Sequence, residues 1–186
     1  MSRRARWLMV IAVLVVVLGA IVAVVVTVQP ALSDDRDRVD AQYRAVRPSL
    51  VTRYQALDGV AAALIAAGAG DRAATKDLQA ALGRWSTLAR RPVEQAEAGP
   101  EATAANELEA LARRVRANIA ASPKLQGVPP VTAAMGAFDQ AVVSPPVLDA
   151  YNQAVRAYEN ERDGTVNRLV AKVLGFDSRP QLVIGG

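Results

Sequence analysis

The residues of this chain that could take part in chemistry are few, and their spacing fits no common site. Carboxylates bind divalent cations, and one segment holds four aspartates close together, at Asp34, Asp35, Asp37 and Asp40. Arg36 and Arg38 stand between them, and the spacing does not match a calcium-binding loop. We therefore interpret this cluster as the solvated start of a helix and predict no metal site there.

Other possible catalytic pairs are equally weak. Glu107 and Glu109 are two residues apart, so they do not share a helix face. Ser122 and Lys124 resemble a nucleophile and its base, but Pro123 between them indicates a helix end. The chain has no histidine and no cysteine, which removes the commonest general base, the commonest metal ligands and the thiol nucleophile. We predict a non-enzymatic protein without a cofactor.

The net charge of +4 reflects one end of the chain. Three of the 22 basic residues are Arg3, Arg4 and Arg6, and without them 19 basic residues face 18 acidic ones. Proteins that bind nucleic acid need a clustered basic face. The balance after residue 6 therefore predicts that nucleic acid is not a partner.

A run of 21 uncharged residues, 8–28, follows these arginines. As a helix it would be about 31 Å long, enough to cross a bilayer core of about 30 Å. Basic residues before a span keep the N-terminus in the cytoplasm, and an indole such as that of Trp7 favours the interface. We predict a cytoplasmic tail at 1–7, a transmembrane helix at 8–28 and a single-pass protein of the bacterial cytoplasmic membrane, with the C-terminal domain outside.

Two other interpretations of the run are less consistent with it. A cleaved signal peptide has an apolar region of about 7–15 residues followed by a small-x-small cleavage site. This run is longer, and residues 29–33 contain no good cleavage site. A buried core helix is the poorer interpretation of a run that is apolar on all faces and dominated by β-branched valine.

The next segment, 33–176, predicts an antiparallel bundle of three to four long helices. The first helix begins near Ser33, and Pro48 is expected to kink or split it. Its apolar residues recur in steps of three and four, which defines one buried face: Val39, Tyr43, Val46, Leu50, Tyr54, Leu57, Val60 or Ala61, and Leu64.

Further helices are predicted at about 71–91 and 101–121. Their apolar stripes are Ala74, Leu78, Leu82, Trp85 and Leu88 in the first and Ala105, Leu108, Leu111, Val115 and Ile119 in the second. Pro129-Pro130 and Pro145-Pro146 bracket a short apolar segment, 131–143, which indicates a short helix between two breaks.

The last long helix is predicted to begin near Val147. Its apolar stripe consists of Tyr151, Val155, Tyr158, Val166, Leu169 and Val173. Arg162 falls on that stripe, which indicates an exposed or frayed middle. The final residues, 177–186, are predicted to be loose.

Several segments in fixed order resemble the LemA family of bacterial envelope proteins. They are Arg53-Tyr54-Gln55-Ala56-Leu57, Asn106-Glu107-Leu108, Ser122-Pro123-Lys124-Leu125, the run from Tyr151 to Tyr158, and Gly175-Phe176. They are similar to that family's "R-R-Y-D-L-I", "N-x-L … Y-P-x-L" and "Y-N-x-x-V-x-x-Y … G-F" patterns. The motif residues carried over are Asn106, Pro123, Leu125, Tyr151, Asn152, Val155, Tyr158, Gly175 and Phe176.

The resemblance implies a membrane-tethered long-helix bundle without established catalysis. Two prolines, Pro145 and Pro146, depart from the family pattern and would break its last helix. For the motif residues we favour structural packing over ligand binding, because Tyr151, Val155 and Tyr158 face one way on a helix.

Two functions remain open from the sequence. The first is an interaction or scaffolding module that contacts another envelope protein or itself, and the small-xxx-small pair Gly19 and Ala23 would allow close helix approach in the span. The second is an extracytoplasmic ligand-binding or sensing bundle, in which the polar block 159–164 faces a pocket.

Overall fold

The computed structural model describes residues 3–165 and 167–185, apart from the side chains of residues 3–6, 8–18 and 20–25. This part of the chain contains one short 3-10 helix, Val93–Gln95, no β-strand, and six α-helices: α1 (Arg3–Ala66), α2 (Ala73–Ala89), α3 (Ala98–Ala120), α4 (Pro129–Gln140), α5 (Pro145–Arg162) and α6 (Asn167–Leu174). The prediction of an all-α bundle is confirmed.

The first helix is longer than the sequence predicted. α1 passes through Pro30, Ser33 and Pro48 without a break over its 64 residues, so the predicted start at Ser33 and the predicted split at Pro48 are wrong. Both prolines lie on the exposed side of the helix. On the opposite side, the fully buried Val46 and Leu50 pack α1 against the bundle, so tertiary packing outweighs the cost of a proline inside the helix.

Contacts to α1 set the direction of its first two neighbours. The Tyr54 ring meets the Trp85 ring edge-on at 4.8 Å, while Arg47 reaches the end of α2, so α2 runs antiparallel to α1. The Tyr54 hydroxyl donates to the carbonyl of Ala105, whereas the Tyr43 hydroxyl donates to Glu101. α3 therefore runs parallel to α1.

The fourth position of the bundle is shared by α4 and α5, both antiparallel to α1. Arg53 contacts the end of α4, and the Tyr43 ring lies 5.6 Å from the Tyr151 ring of α5. The chain leaves helical geometry at 141–144 and resumes with Pro145 in the first helical turn, where its missing N–H costs nothing. The break thus lies just before the two prolines.

The core matches the apolar stripes that the sequence predicts for the first three helices. Every predicted stripe residue of α1 from Val39 to Leu64 is at most 3% exposed. Leu78 and Trp85 of α2 and Leu108 and Val115 of α3 are also buried, while the predicted stripe residues nearest the helix ends, Leu88 and Ile119, are half-buried. The 3.6-residue period was therefore sufficient to find these faces.

The prediction of a continuous last helix is wrong. α5 ends at Arg162, and α6 begins at Asn167, whose side-chain amide donates to the Glu161 carbonyl at 2.8 Å. The interruption resets the helical phase, so Leu169 and Val173, predicted in the core, are 69% and 82% exposed. Val166, assigned to the same stripe, lies outside the described residues.

The backbone of the predicted span, 8–28, belongs to α1, but most of its side chains lie outside the described ones, as do those of Arg3, Arg4 and Arg6. Trp7 is exposed. Among the described residues, no helix combines the length and apolarity needed to cross a membrane.

Candidate functional site: the groove that holds the C-terminal segment

The C-terminal segment 177–185, here called the tail, lies against the bundle instead of being loose. Helices α3 and α5, both described in full, do not pack directly on each other, and the tail runs between them. The Leu182 side chain is only 2% exposed. The predicted loose end is therefore wrong, because an apolar residue and a set of hydrogen bonds fix the tail. We call the surface between α3 and α5 the tail groove.

Two asparagines bind the backbone of the tail from opposite walls of the groove. Asn152 of α5 donates to the carbonyl of Leu182 at 3.0 Å and accepts from its N–H at 2.8 Å. Asn106 of α3 donates to the carbonyl of Gln181 at 2.7 Å and accepts from the N–H of Val183 at 2.9 Å. Each side-chain amide thus replaces a backbone partner, as a neighbouring β-strand would, and satisfies polar groups irrespective of the tail's side chains.

Two tyrosines extend this recognition along α5. The Tyr151 hydroxyl donates to the carbonyl of Pro180 at 2.9 Å, and the Tyr158 hydroxyl donates to that of Asp177 at 2.8 Å. Burial raises the pKa of both phenols above the ordinary tyrosine value, so both remain protonated donors.

The carboxylate of Glu159 holds the start of the tail. It accepts a hydrogen bond from the backbone N–H of Arg179 at 2.5 Å and another from the Ser178 hydroxyl at 3.1 Å. The Arg179 side chain turns toward α1, where it lies 3.8 Å from Asp40. Desolvation by burial raises the pKa of Asp40, and the cationic Arg179 opposes that shift.

The turn that leads into the tail depends on Gly175 and Phe176. Gly175 has φ +73°, a conformation that glycine adopts without strain. The N–H of Phe176 then donates to the carbonyl of Ala171 at 2.9 Å, and the Phe176 ring lies 5.5 Å from the Arg36 guanidinium of α1. This glycine–phenylalanine pair therefore ends α6 and turns the chain back, so that the tail runs along α5 from Tyr158 toward Tyr151.

The structure brings four of the nine motif residues to the tail groove, Asn106, Tyr151, Asn152 and Tyr158, while Gly175 and Phe176 form the turn that leads into the tail. Val155 is a core residue at 1% exposure. Pro123 and Leu125 belong to the turn after α3 at the other end of the bundle, where Leu125 is buried and Pro123 is exposed. The polar motif residues bind the chain's own tail.

Two buried ion pairs, each between an arginine of α1 and a glutamate of α3, were not predicted from the sequence. Arg47 of α1 pairs with Glu101 of α3 through Nε and Oε2 at 2.7 Å, and the side chains are 4% and 1% exposed. The Nη2 of Arg47 also donates to carbonyls at the end of α2, those of Leu88, Ala89 and Arg91. This arginine therefore caps α2 from a neighbouring helix.

The second pair also joins an arginine of α1 to a glutamate of α3, and its arginine also donates to a carbonyl at the end of another helix. Arg53 of α1 binds Glu109 of α3 through two hydrogen bonds of 2.6 Å and 3.0 Å. Its Nη1 donates to the carbonyl of Ala141 beyond α4, and its guanidinium lies 4.1 Å from the centre of the Phe138 ring. Glu109 also accepts a 3.4 Å hydrogen bond from the N–H of Gly185, which links this pair to the tail.

A signal for these pairs was present in the sequence. Arg47 is three residues before Leu50 and seven before Tyr54, so it lies on the apolar face of α1. A charge on such a face needs a buried partner of opposite charge. Which acidic residue fills that role depends on the arrangement of α3 against α1.

The acidic and nucleophilic candidates from the sequence stay apart. Asp35 pairs with Arg38 at 3.0 Å, and the described residues include no group of three acidic side chains close enough to hold a metal ion. The Ser122 hydroxyl accepts from Arg72 at 3.0 Å, while Lys124 is exposed. Glu107 is exposed and pairs with Arg84 at 2.5 Å, so it faces away from the buried Glu109.

Asn152→Leu should weaken the hold on the tail. The change keeps the side-chain size but leaves the N–H and carbonyl of Leu182 without their partner, which should lower the free energy of unfolding by about 1–3 kcal/mol. Hydrogen exchange at the Leu182 amide should accelerate, and urea unfolding measures the stability. Asn118→Leu is the matched control, because Asn118 is exposed and bonds within its own helix. Equal exchange in both variants would contradict the assigned role of Asn152.

Stability should also fall in alkaline solution because four phenols are buried: Tyr43, Tyr54, Tyr151 and Tyr158. Burial raises each pKa above the ordinary value of 10.0. The folded state then retains protons that the unfolded state releases, so this stability is fully present below about pH 10 and is lost as the pH rises toward the folded pKa values. Each tyrosine should contribute a slope of up to about 1.4 kcal/mol per pH unit above that point. Urea unfolding measured across this range should show the slope, and Tyr151→Phe should reduce it; an unchanged slope in that variant would exclude Tyr151 as a contributor.

Comparisons with protein-family models, with curated proteins and with solved structures find no match for this chain.

Proposed function

We propose that this chain is a membrane-anchored, non-enzymatic helical bundle of the LemA type, presented outside the bacterial cytoplasmic membrane. Its proposed role is that of a protein-interaction or scaffolding module of the cell envelope. The uncharged run 8–28, preceded by Arg3, Arg4 and Arg6, supports the anchor and its orientation. The motif order supports the family assignment.

The observation that carries the interaction role is the tail groove. Two asparagines and two tyrosines bind the tail through its backbone, and hydrogen bonds to the main chain are also what gives affinity in several modes of peptide recognition. Because the chain's own tail occupies this groove, a partner segment would bind there by replacing residues 177–185, as the tail of a second copy could. The proposed partners are another envelope protein or a second copy of this chain.

The continuity of α1 adds a geometric argument. Leu32 is fully buried in the bundle only four residues after residue 28, and no flexible linker lies between them in α1. A bundle joined to its anchor by continuous helix has a restricted height and tilt, so partners in the same membrane would meet a defined face.

Photo-crosslinking of the intact, membrane-inserted protein in cells tests this role. A photoreactive residue is introduced at one exposed position on each of α2, α3 and α5: Gln79, Arg113 and Arg156. We expect one face to give a discrete adduct of defined mass, while the other positions act as matched controls. Monomer alone at all three positions would contradict the interaction role.

The alternative, a ligand-binding or sensing bundle that acts through a membrane partner, stays a prediction. It required the polar block 159–164 to face a pocket. Arg162 borders a surface cavity of about 300 Å³ and pairs with Glu159 at 3.1 Å and Asp163 at 3.2 Å. These two carboxylates already balance the charge of Arg162, which makes this side chain a weak binding group for an anionic ligand.

A further inference from the structure

Helix α6 has two apolar sides, and only one of them is covered. Val170 and Ala171 are buried against the bundle. Leu169 and Val173, four residues apart on the opposite side, are 69% and 82% exposed, the two highest values among the described large hydrophobic side chains. Two such residues on adjacent turns form an apolar stripe that the described chain leaves without a partner.

Basic side chains flank this stripe. Arg168 and Lys172 are also four residues apart, one helical position before Leu169 and Val173. Arg168 forms a long ion pair of 4.0 Å with Asp163, whose side chain is half exposed. An apolar stripe beside a cationic one is typical of helices that lie in the headgroup region of anionic membranes.

The position of α6 along the bundle also favours a contact with the membrane surface. The contact between Tyr43 and Tyr151 sets the antiparallel register of α1 and α5, and extending that register by eleven residues places Arg162, the last residue of α5, level with Leu32 of α1. α6 follows and packs on α1 and α5. The Phe176 ring beyond α6 returns to Arg36.

This end of the bundle is close to the proposed anchor. Leu32 is four residues beyond residue 28, the last of the uncharged run, which corresponds to about 6 Å along a helix. Val28 itself packs partly against the core. If residues 8–28 cross the bilayer, the end of the bundle that carries α6 is the end that faces the lipid headgroups.

We propose that α6 lies on the outer surface of the membrane, with Leu169 and Val173 inserted at the boundary between headgroups and acyl chains and with Arg168 and Lys172 against anionic lipid phosphates. The proposal rests on the anchor assigned under the proposed function. In this arrangement the bundle contacts the membrane at two places, α1 and α6, which fixes its rotation about α1 and thereby selects which face it presents to a partner.

Site-specific fluorescence on the full chain tests this contact. Since the chain has no cysteine, one cysteine each at Leu169, Val173 and Val142 gives a unique label. Val142, between α4 and α5, is 67% exposed and serves as the matched control. The protein is reconstituted into vesicles of phosphatidylcholine with phosphatidylglycerol, and a polarity-sensitive dye reports water, while a quencher attached to the lipid reports depth.

We expect a blue-shifted emission and several-fold stronger lipid quenching at 169 and 173 than at 142. Arg168→Gln with Lys172→Gln should reduce the quenching at 173, as should vesicles without phosphatidylglycerol. A water-exposed dye at 169 and 173 in protein that remains inserted would overturn the contact and leave the anchor intact. Blue shift without lipid quenching, rising with the protein-to-lipid ratio, would indicate a second copy on this face and also overturn it. Protein that never inserts would contradict the proposed function itself.

Discussion

Replacing Arg53 with methionine should lower the free energy of unfolding by about 3–5 kcal/mol, the typical cost of breaking one side of a buried ion pair. The change leaves the Glu109 carboxylate, 3% exposed, without its two guanidinium hydrogen bonds. It also removes the donor to the Ala141 carbonyl that closes the end of α4. Urea unfolding of the purified protein, followed by circular dichroism, measures the loss.

The double variant Arg53→Met with Glu109→Leu separates the ion pair from simple packing. Removing both charges eliminates the buried, unpaired carboxylate, so we expect the double variant to be more stable than Arg53→Met alone. Arg113→Met, at an exposed position of α3, is the matched control and should change stability by less than about 0.5 kcal/mol. Additive losses in the double variant would show that the two side chains act independently.

Leu14→Lys combined with Ile21→Lys should release the protein from the membrane. Each lysine near the middle of a span costs about 3 kcal/mol of insertion free energy, so together they cost about 6 kcal/mol. Membrane fractionation measures the release, and a cysteine introduced at Asp34 and labelled from outside intact cells reports the topology. The conservative pair Leu14→Ile with Ile21→Leu should remain inserted and labelled.

The outcome of that experiment bears directly on the anchor. If the lysine variant stays in the membrane fraction to the same extent as the conservative pair, another part of the chain holds the protein there. Protection of residue 34 from external label in the conservative pair would reverse the proposed orientation.

Local pattern alone predicted much of the bundle. The spacing of Leu50, Tyr54 and Leu57 identified the buried face of α1, because side chains three and four residues apart share one side of a helix whatever lies opposite. The prolines at 129–130 and 145–146 correctly marked short breaks, since proline is accepted at the first helical turn and disfavoured further in. Helix boundaries differ from the predicted ones by only a few residues for α2 and α3.

Long-range packing decided what the pattern could not. Nothing local distinguishes a loose tail from one that Asn106 and Asn152 hold, because those residues lie about 75 and 30 positions away in sequence. Leu169 and Val173 were predicted in the core because their spacing continued that of α5, yet a break of a few residues rotated them outward.

The sequence by itself determined the all-α class, the buried faces of α1, α2 and α3 and the uncharged run, because each depends on residues within a few positions of one another, and composition alone determined the balance of charge. Only the tertiary structure decided which acidic residue neutralises Arg47 or Arg53, where the tail lies and which side of α6 is free. The physical reason is that these contacts join residues far apart in the chain. Their free energy is realised only when the helices have assembled, so no local periodicity records it.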